Sequence, residues 1–281
     1  MVTGNGRTLA ILTNDPGKVF QKNVIAGAQA EAERQGYRVQ VAIAPQGVRD
    51  VAGLPLDVQR LAGLLVIANV VSDDVLLALE QTGLPMSLVS HSVPGSTIPA
   101  IISDNLAGMD QLMDHIIVDC GRQRLLFIQG HMGQNDGIAR DRAFRHAMVR
   151  HNLAPEEAIF VPGEFDPEVA ASRLAEVLQA RPSFDAIVAS DYLMAVAALE
   201  TVRAAGYAVP EDVCIAGFGD GPEAAAAGVT TVAADVVDLG RRACRQLIGQ
   251  LNGLAIRGVT ILSTELIQRE TTAPARRVPT A

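Results

Sequence analysis

The chain has 281 residues, 49% of them hydrophobic and 19% charged, with a formal net charge of -8 and no tryptophan. That length exceeds one ordinary hydrophobic core and fits two lobes or one large α/β domain. The acidic balance argues against this chain alone gripping nucleic acid, which needs a basic surface.

The elements alternate along the chain. "TLAILTN" (8–14) reads as a buried strand. The helical stretch 19–36 follows, with Phe20, Val24, Ala28 and Ala32 on one face and Gly36 as a C-cap. "RVQVAIA" (38–44), "GLLVIA" (63–68), "PMSLVS" (85–90) and the short "AIIS" (100–103) continue the strands. The rhythm then restarts. A helix over 105–119 leads to "RLLFIQG", a helix around 140–151 to "AIFVP", a helix around 167–180 to "DAIVAS", and a helix over 192–205 to "DVCIAGF". A last helix (239–251) and a last strand, "TELIQR", close the chain, and the tail "APARRVPTA" reads as disorder or linker. Near-continuous apolar strands imply sheets covered on both faces. The fold class is therefore α/β, with two doubly wound parallel-sheet lobes and a ligand cleft between them. Ligands of such sheets sit beyond the carboxyl ends of the strands. The residues to read are thus Thr13, Asn14, Asp15, Ser90, His91, Asp104, Gln129, Ser190, Asp191, Gly219 and Asp220.

The three cysteines (Cys120, Cys214, Cys244) lie far apart and show no C-x-x-C spacing, so neither a zinc site nor a disulfide framework is expected. The start, "MVTGNGRTLAILTND", has too short an apolar run for a signal peptide, and no run reaches the ~18 residues of a membrane span. A cytoplasmic protein with no membrane partner is the expectation.

"CIAGFGDG" (214–221) raises the question of a phosphate loop. Its spacing is G-x-G-x-G, whereas a dinucleotide loop needs G-x-G-x-x-G opening into a helix early in the chain. No G-K-S/T occurs, which excludes a Walker loop. A strand-end turn, with Gly219 giving room, is the preferred reading. No G-x-S-x-G elbow, H-E-x-x-H or clustered His/Cys appears. Asp191 and Asp220 are two acids at strand ends, but nothing in the sequence sets them around a glycosidic bond. The chain is expected not to be an enzyme and to need no cofactor and no metal.

The stretch "FDAIVASDYLMAVAALETVRAAGYAVPEDVCIAGFGD" resembles the lactose/galactose repressor (LacI/GalR) family in its effector-binding domain. So do "GRQRLLFIQG", "RDRAFRHAM", "VTTVAADVVDLGRRACRQLIGQLNG" and "TELIQRETT", in the family's order from about Thr8 to Thr272. The resemblance implies a type I periplasmic-binding-protein-like fold. One lobe would hold 7–104 plus 234–263 and the other 105–233 plus 264–275, with flexible ends at 1–6 and 276–281. It implies a transcriptional regulator that binds a small effector, sugar-like or a nucleoside, and dimerises. DNA would be met only through a helix-turn-helix head, which this sequence does not contain. A solute-binding protein of an importer and a sensor module of a larger signalling protein share the fold and stay open as alternatives.

The resemblance also assigns residues. Arg140 opens "RDRAFRHAM", where the family's Arg clamps an effector oxygen, a role that suits its planar donor fork. Ala143 replaces the family's usual Gly. Asp191 would accept ligand hydroxyls or cap the helix at Tyr192, and Ser190 stands beside it. Phe20 and Phe165 match aromatics that wall the ligand, with ordinary core as the other reading. Asn14 and His91 end strands of the first lobe. Asp104 would cap the following helix or meet ligand. Gly219 stands where the family reads Asp in G-F-D-D and Ala234 where Gln is common, leaving Asp220 as the remaining acid. These departures favour a different or bulkier effector, or a degenerate pocket.

Overall fold

A computed structural model of the protein describes residues 8–44 and 48–274; the ends expected to be flexible, 1–6 and 276–281, lie outside the described residues. The chain begins with β1 (Thr8–Thr13), α1 (Val19–Arg34), β2 (Arg38–Ile43), β3 (Gly63–Ile67), α2 (Asp73–Gln81), β4 (Met86–Val89) and β5 (Ala100–Ser103). The rhythm resumes with α3 (Asn105–Asp114), β6 (Leu125–Gln129), α4 (Asn135–Arg150), β7 (Ile159–Pro162), α5 (Pro167–Gln179), β8 (Ala186–Ala189), α6 (Tyr192–Ala204) and β9 (Cys214–Phe218). It ends with α7 (Pro222–Ala227), β10 (Thr230–Ala233), α8 (Val236–Leu251), β11 (Val259–Leu262) and β12 (Glu265–Ile267). Two compact units result: one runs to Ser103 and takes back Asp235–Leu262, the other holds Asp104–Ala234 and the chain from Ser263. Asp104 belongs to the second unit for a local reason: its carboxylate accepts from Ala107 N at 2.9 Å and so caps α3.

The first unit is one parallel sheet in the order β11-β5-β4-β3-β1-β2. Alternate strand residues enter opposite cores. Leu9, Ile11, Leu65 and Ile67 pack against α1 and α8; Ala10, Leu12, Leu64 and Val66 pack on the side of α2. Burial on both faces is why these strands read as continuous apolar runs rather than alternating ones. α1 and α8 approach closely at two glycines: a Cβ on Gly27 would collide with the Val237 carbonyl, and one on Gly240 with the Val24 carbonyl. Glu31 on α1 is 2% exposed and takes Arg34 and, across the helix pair, Arg245 (3.1 Å). These guanidinium bonds hold its pKa at about 2, against the opposing push of burial.

The second unit repeats the plan with the order β12-β10-β9-β8-β6-β7. β12 runs antiparallel to β10, so this sheet departs from the wholly parallel arrangement expected. Leu126 and Ile128 enter the core under α5 and α6, while Leu125 and Phe127 enter the other with α3 and α4. Phe127 and Phe144 stack at 4.3 Å there.

Several elements differ from the sequence expectation. α2 was not expected; it is short, and only Val75, Leu76 and Leu79 are buried. β10 and β11 have four residues each, too few to show a period. α4 starts at Asn135 rather than near Arg140, which sets Arg140 in its second turn, and α8 starts at Val236 behind an Asp235 cap. The helix expected over 105–119 is α-helical only to Asp114, and a π-helical turn carries it to Asp119. α1 ends at Arg34 with Gln35 as cap, followed by Gly36 at φ +75°.

Candidate functional site

Both sheets carry the same switch point. In the first unit the chain reverses direction across the sheet between β1 and β3, and in the second between β6 and β8. Ligands of doubly wound sheets gather outside the carboxyl ends at such points. Ser190 directly follows β8 at that edge, and Arg140 reaches it from α4.

Arg140 is buried to 8% exposure. Its Nε donates to Asn105 Oδ1 (2.8 Å) and its Nη1 to the Ser190 carbonyl (2.7 Å). Asp136, one turn earlier on α4, stands 3.4 Å from Nη2 and accepts from Asn105 Nδ2 at 2.8 Å. The guanidinium lies over Phe218, 4.0 Å from the ring centroid, with Phe165 at 5.8 Å. Burial lowers the pKa of Arg140, and the charges of Asp136 and Asp191 oppose that shift. A guanidinium has five N–H donors and two are used in these hydrogen bonds, so the fork keeps donors for another molecule.

Asp191 closes the same edge. Its Oδ1 accepts from Leu193 N (2.8 Å) and Met194 N (3.2 Å), capping α6. The two readings of this residue are compatible, because the cap uses one carboxylate oxygen. Burial pushes its pKa up, against the pull of Met194, Arg140 and Leu193. Ser190 Oγ is buried and has no hydrogen-bond partner among the described residues. A buried, unpartnered hydroxyl costs about 1–3 kcal/mol, so this edge carries unspent polar capacity.

Phe165 is placed by strain. Glu164 and Phe165 have φ of +57° and +55°, and the ring lies where a Cβ on residue 130 would be, so Gly130 makes its room. Asp220 is engaged within the unit. Burial raises its pKa, but Arg269 Nη2 (2.9 Å) and Thr231 Oγ1 (2.8 Å) donate to its carboxylate and the net shift is downward. Asp220 and Asp191 are thus held in separate networks.

The glycine loop serves Tyr192. A Cβ on Gly217 would meet Tyr192 Cα at 2.9 Å, and one on Gly221 would strike the Tyr192 ring. Gly219 has φ +83° and donates its N–H to the Val232 carbonyl at 2.7 Å. The loop wraps a buried aromatic at a strand end, and the helix behind it, α7, has six residues.

At the carboxyl edge of the first unit, Asn14 is exposed and its Oδ1 accepts from Gln21 Nε2 at 3.3 Å. Thr13 Oγ1, Gln21 Oε1 and Ser90 Oγ are buried and unpartnered. Ser90 and Ala68 hold φ of +55° and +52° at the ends of β4 and β3. Phe20 is half-buried against the core under α1. His91 is 1% exposed, with Nδ1 at 3.2 Å from the Ala68 carbonyl and Nε2 at 2.7 Å from Asp73 Oδ1. Both of its nitrogens are thus engaged within the unit. Asp104 is likewise occupied as a cap.

The structure therefore brings Arg140, Ser190, Asp191 and Phe165 to one edge. Sequence reasoning missed Asn105, Asp136 and Phe218, which orient Arg140, and Gln21. Only Asp136 left a signal, an acid four residues before Arg140 on one helix face. Among the described residues no group of three His, Cys, Asp or Glu could hold a metal ion, and no helix is long and apolar enough to cross a membrane.

Comparison with known proteins bears on the fold and the family. The family model of the periplasmic binding protein-like domain matches residues 116–272, more than half of the chain. The HTH-type transcriptional regulator CelR of Thermobifida fusca is 26% identical over 281 residues, covering 96% of this chain and 82% of that protein. Among solved structures, the lac repressor dimer bound to operator and an anti-inducer matches with a TM-score of 0.86 at 20% identity, covering 95% of this chain and 94% of that one. A CelR–cellobiose complex matches with a TM-score of 0.79 at 23% identity, covering 94% and 84%. The chain belongs to the periplasmic binding protein-like domain family, as the ligand-sensing, effector-binding domain of a LacI-type transcriptional regulator.

Proposed function

We propose that this domain senses an uncharged, polyhydroxylated small molecule, of the sugar class, at the carboxyl edge of its second unit. One observation carries the reading: a buried Arg140, oriented by Asn105 and the Ser190 carbonyl and charge-balanced by Asp136, beside the unpartnered Ser190 Oγ. The guanidinium has donors to spare for hydroxyl oxygens. Asp191 has a carboxylate oxygen outside the cap for hydroxyl hydrogens, and Phe165 offers a ring face for C–H surfaces. Asp136 and Asp191 already balance the Arg140 charge, which disfavours a phosphate or carboxylate ligand. In the first unit, Asn14, Phe20 and the unpartnered Thr13 Oγ1, Gln21 Oε1 and Ser90 Oγ form a candidate edge of their own.

The cellobiose complex of CelR supports the ligand class. Binding would bias a conformational equilibrium, as any effector with different affinities for two states must. The domain works as a dimer in the cytoplasm and acts on DNA through a head outside this chain, and it performs no chemistry on its ligand. The test is a thermal-shift screen of neutral mono- and disaccharides, sugar phosphates and nucleosides on wild type and Asp191→Asn. A ligand at a hundredfold over its Kd stabilises by about 2.7 kcal/mol. A neutral sugar is expected to raise the melting temperature of wild type and to act weakly on the variant. A response confined to sugar phosphates would overturn the reading.

A further inference from the structure

His91 is 1% exposed just past the end of β4, and its ring joins three pieces of the first unit. Nδ1 stands 3.2 Å from the Ala68 carbonyl at the end of β3, and Nε2 stands 2.7 Å from Asp73 Oδ1 in the first turn of α2. A carbonyl oxygen only accepts. Asp73 is half exposed, and a helix N-terminus favours its charged form, so it too only accepts. The ring therefore fills both bonds only when each nitrogen carries a hydrogen, that is, as an imidazolium. A neutral ring has one N–H and must turn a lone pair on the carbonyl or on the carboxylate.

The backbone that this ring ties is strained. Ala68 and Ser90 hold left-handed φ, +52° and +55°, at the ends of two paired strands. Such residues are unfavourable and persist only where the surroundings hold them. The Ala68 N–H donates to the Val89 carbonyl (2.7 Å) and the Ser90 N–H to the Ile101 carbonyl (2.9 Å), which laces the ends of β3, β4 and β5 together. His91 adds the Ala68 carbonyl to that lacing and brings in α2. The edge so held carries Ser90 Oγ, buried and unpartnered, as is Thr13 Oγ1 at the end of β1. Asp73 is the charged side chain on the ring. Asp74 beside it on α2, and Asp15 and Lys18 after β1, are exposed side chains of the same edge, and Asp104 after β5 is spent as the cap of α3.

We propose that His91 is a positioning residue of the first-unit edge, a latch that is closed while its ring carries both hydrogens and loosens when it loses one. The proposal takes that edge as a ligand edge, but the latch itself is read below without a ligand, so a failure of the sugar reading is distinguishable from a failure of the latch. The sign follows from the partners. Two acceptors hold the imidazolium more tightly than the neutral ring, so the latch is whole at low pH and weakens as pH rises. The proton leaves to water, one nitrogen is left bare against an acceptor, and Ala68 and Ser90 are free to relax toward ordinary φ. Effector affinity at this edge then falls with rising pH.

The test is hydrogen–deuterium exchange of the native, full chain without ligand, at about pH 6 and about pH 9, corrected for the intrinsic exchange rate. Peptides that hold the Ala68 and Ser90 amides should lose protection at least about tenfold between the two, the scale of one hydrogen bond to a charged group. Peptides from β6, in the other unit, should keep theirs. Asp73→Asn is the second arm. Its amide can donate to a bare Nε2 while Nδ1–H stays on the Ala68 carbonyl, so the neutral ring is satisfied as well. Protection in that variant should differ by less than about twofold across the same pH range. Imidazole nitrogen NMR spectra of wild type at about pH 6 should show a hydrogen on both ring nitrogens. A bare ring nitrogen there, equal protection at both pH values, a loss shared by β6, or the same loss in Asp73→Asn as in wild type would each overturn the proposal.

Discussion

The α1–α8 contact makes the sharpest stability prediction. In Gly240→Ala the added Cβ falls 2.8 Å from the Val24 carbonyl carbon and closer still to its oxygen, where real Cβ atoms keep at least 3.0 Å. Those atoms are backbone, so the two helices must part. Ala is intrinsically better than Gly in a helix by about 1 kcal/mol. Overpacking costs about 1–3 kcal/mol, occasionally more. Parting the helices also stretches the Arg245–Glu31 pair that bridges them. A clash with backbone atoms on both contacts sits at the top of that range, about 3 kcal/mol, so the net loss is about 2 kcal/mol. At about 2–4 °C per kcal/mol for a chain of this size, the first unit should melt about 4–8 °C lower. Gly249→Ala, on the same helix, is the control. Its Cβ would meet only the end of Ile256 (Cδ1 at 2.5 Å) and of Leu254 (3.4 Å), which can turn aside. It should stay within about 0.5 kcal/mol of wild type. Thermal unfolding followed by circular dichroism measures both. A Gly240→Ala protein as stable as Gly249→Ala would refute the close-approach reasoning.

Other expectations follow from individual side chains. Glu31 has a folded pKa of about 2 against an ordinary 4.5, so its contribution is whole above pH 4.5 and is lost as pH falls toward 2; Glu31→Gln should flatten the acid limb of a melting-temperature profile. Asp191 is the opposite case: its pKa is raised by burial, so its charge costs stability at neutral pH. Asp191→Asn, which keeps a capping oxygen, should be at least as stable as wild type by urea unfolding, while Asp191→Ala loses the cap and about 1 kcal/mol. Gly219→Asp, which restores the family's acid, forces a side chain to φ +83° with its Cβ 3.2 Å from Tyr192 Cδ1. It should lose about 1 kcal/mol or more in the same assay.

The two-lobed plan was legible because its signals are long. Runs such as "RLLFIQG" and "DAIVAS" are buried on both faces, and the helices between them keep an apolar stripe. Short elements left no period: α2 carries three buried residues, and β10 and β11 are too brief to alternate. Ser190 and Asp191 could be placed at the carboxyl edge because they follow a legible strand, whereas Arg140, on a helix, was singled out only by the family resemblance. What holds Arg140 was not readable, since Asn105 and Phe218 come from distant segments that only the fold brings together. The partners of His91, the Ala68 carbonyl and Asp73, were hidden for the same reason: they lie on other segments.

The central claim is that Arg140 reads a neutral hydroxylated ligand through its planar fork. The direct measurement is calorimetric titration of the sugar identified by screening into wild type and Arg140→Lys. Lysine keeps the charge opposite Asp136 but not the fork. The account predicts a Kd at least about tenfold weaker in the variant, a loss of about 1.4 kcal/mol. Equal affinity in the two proteins would show that Arg140 serves only the fold, and would contradict it.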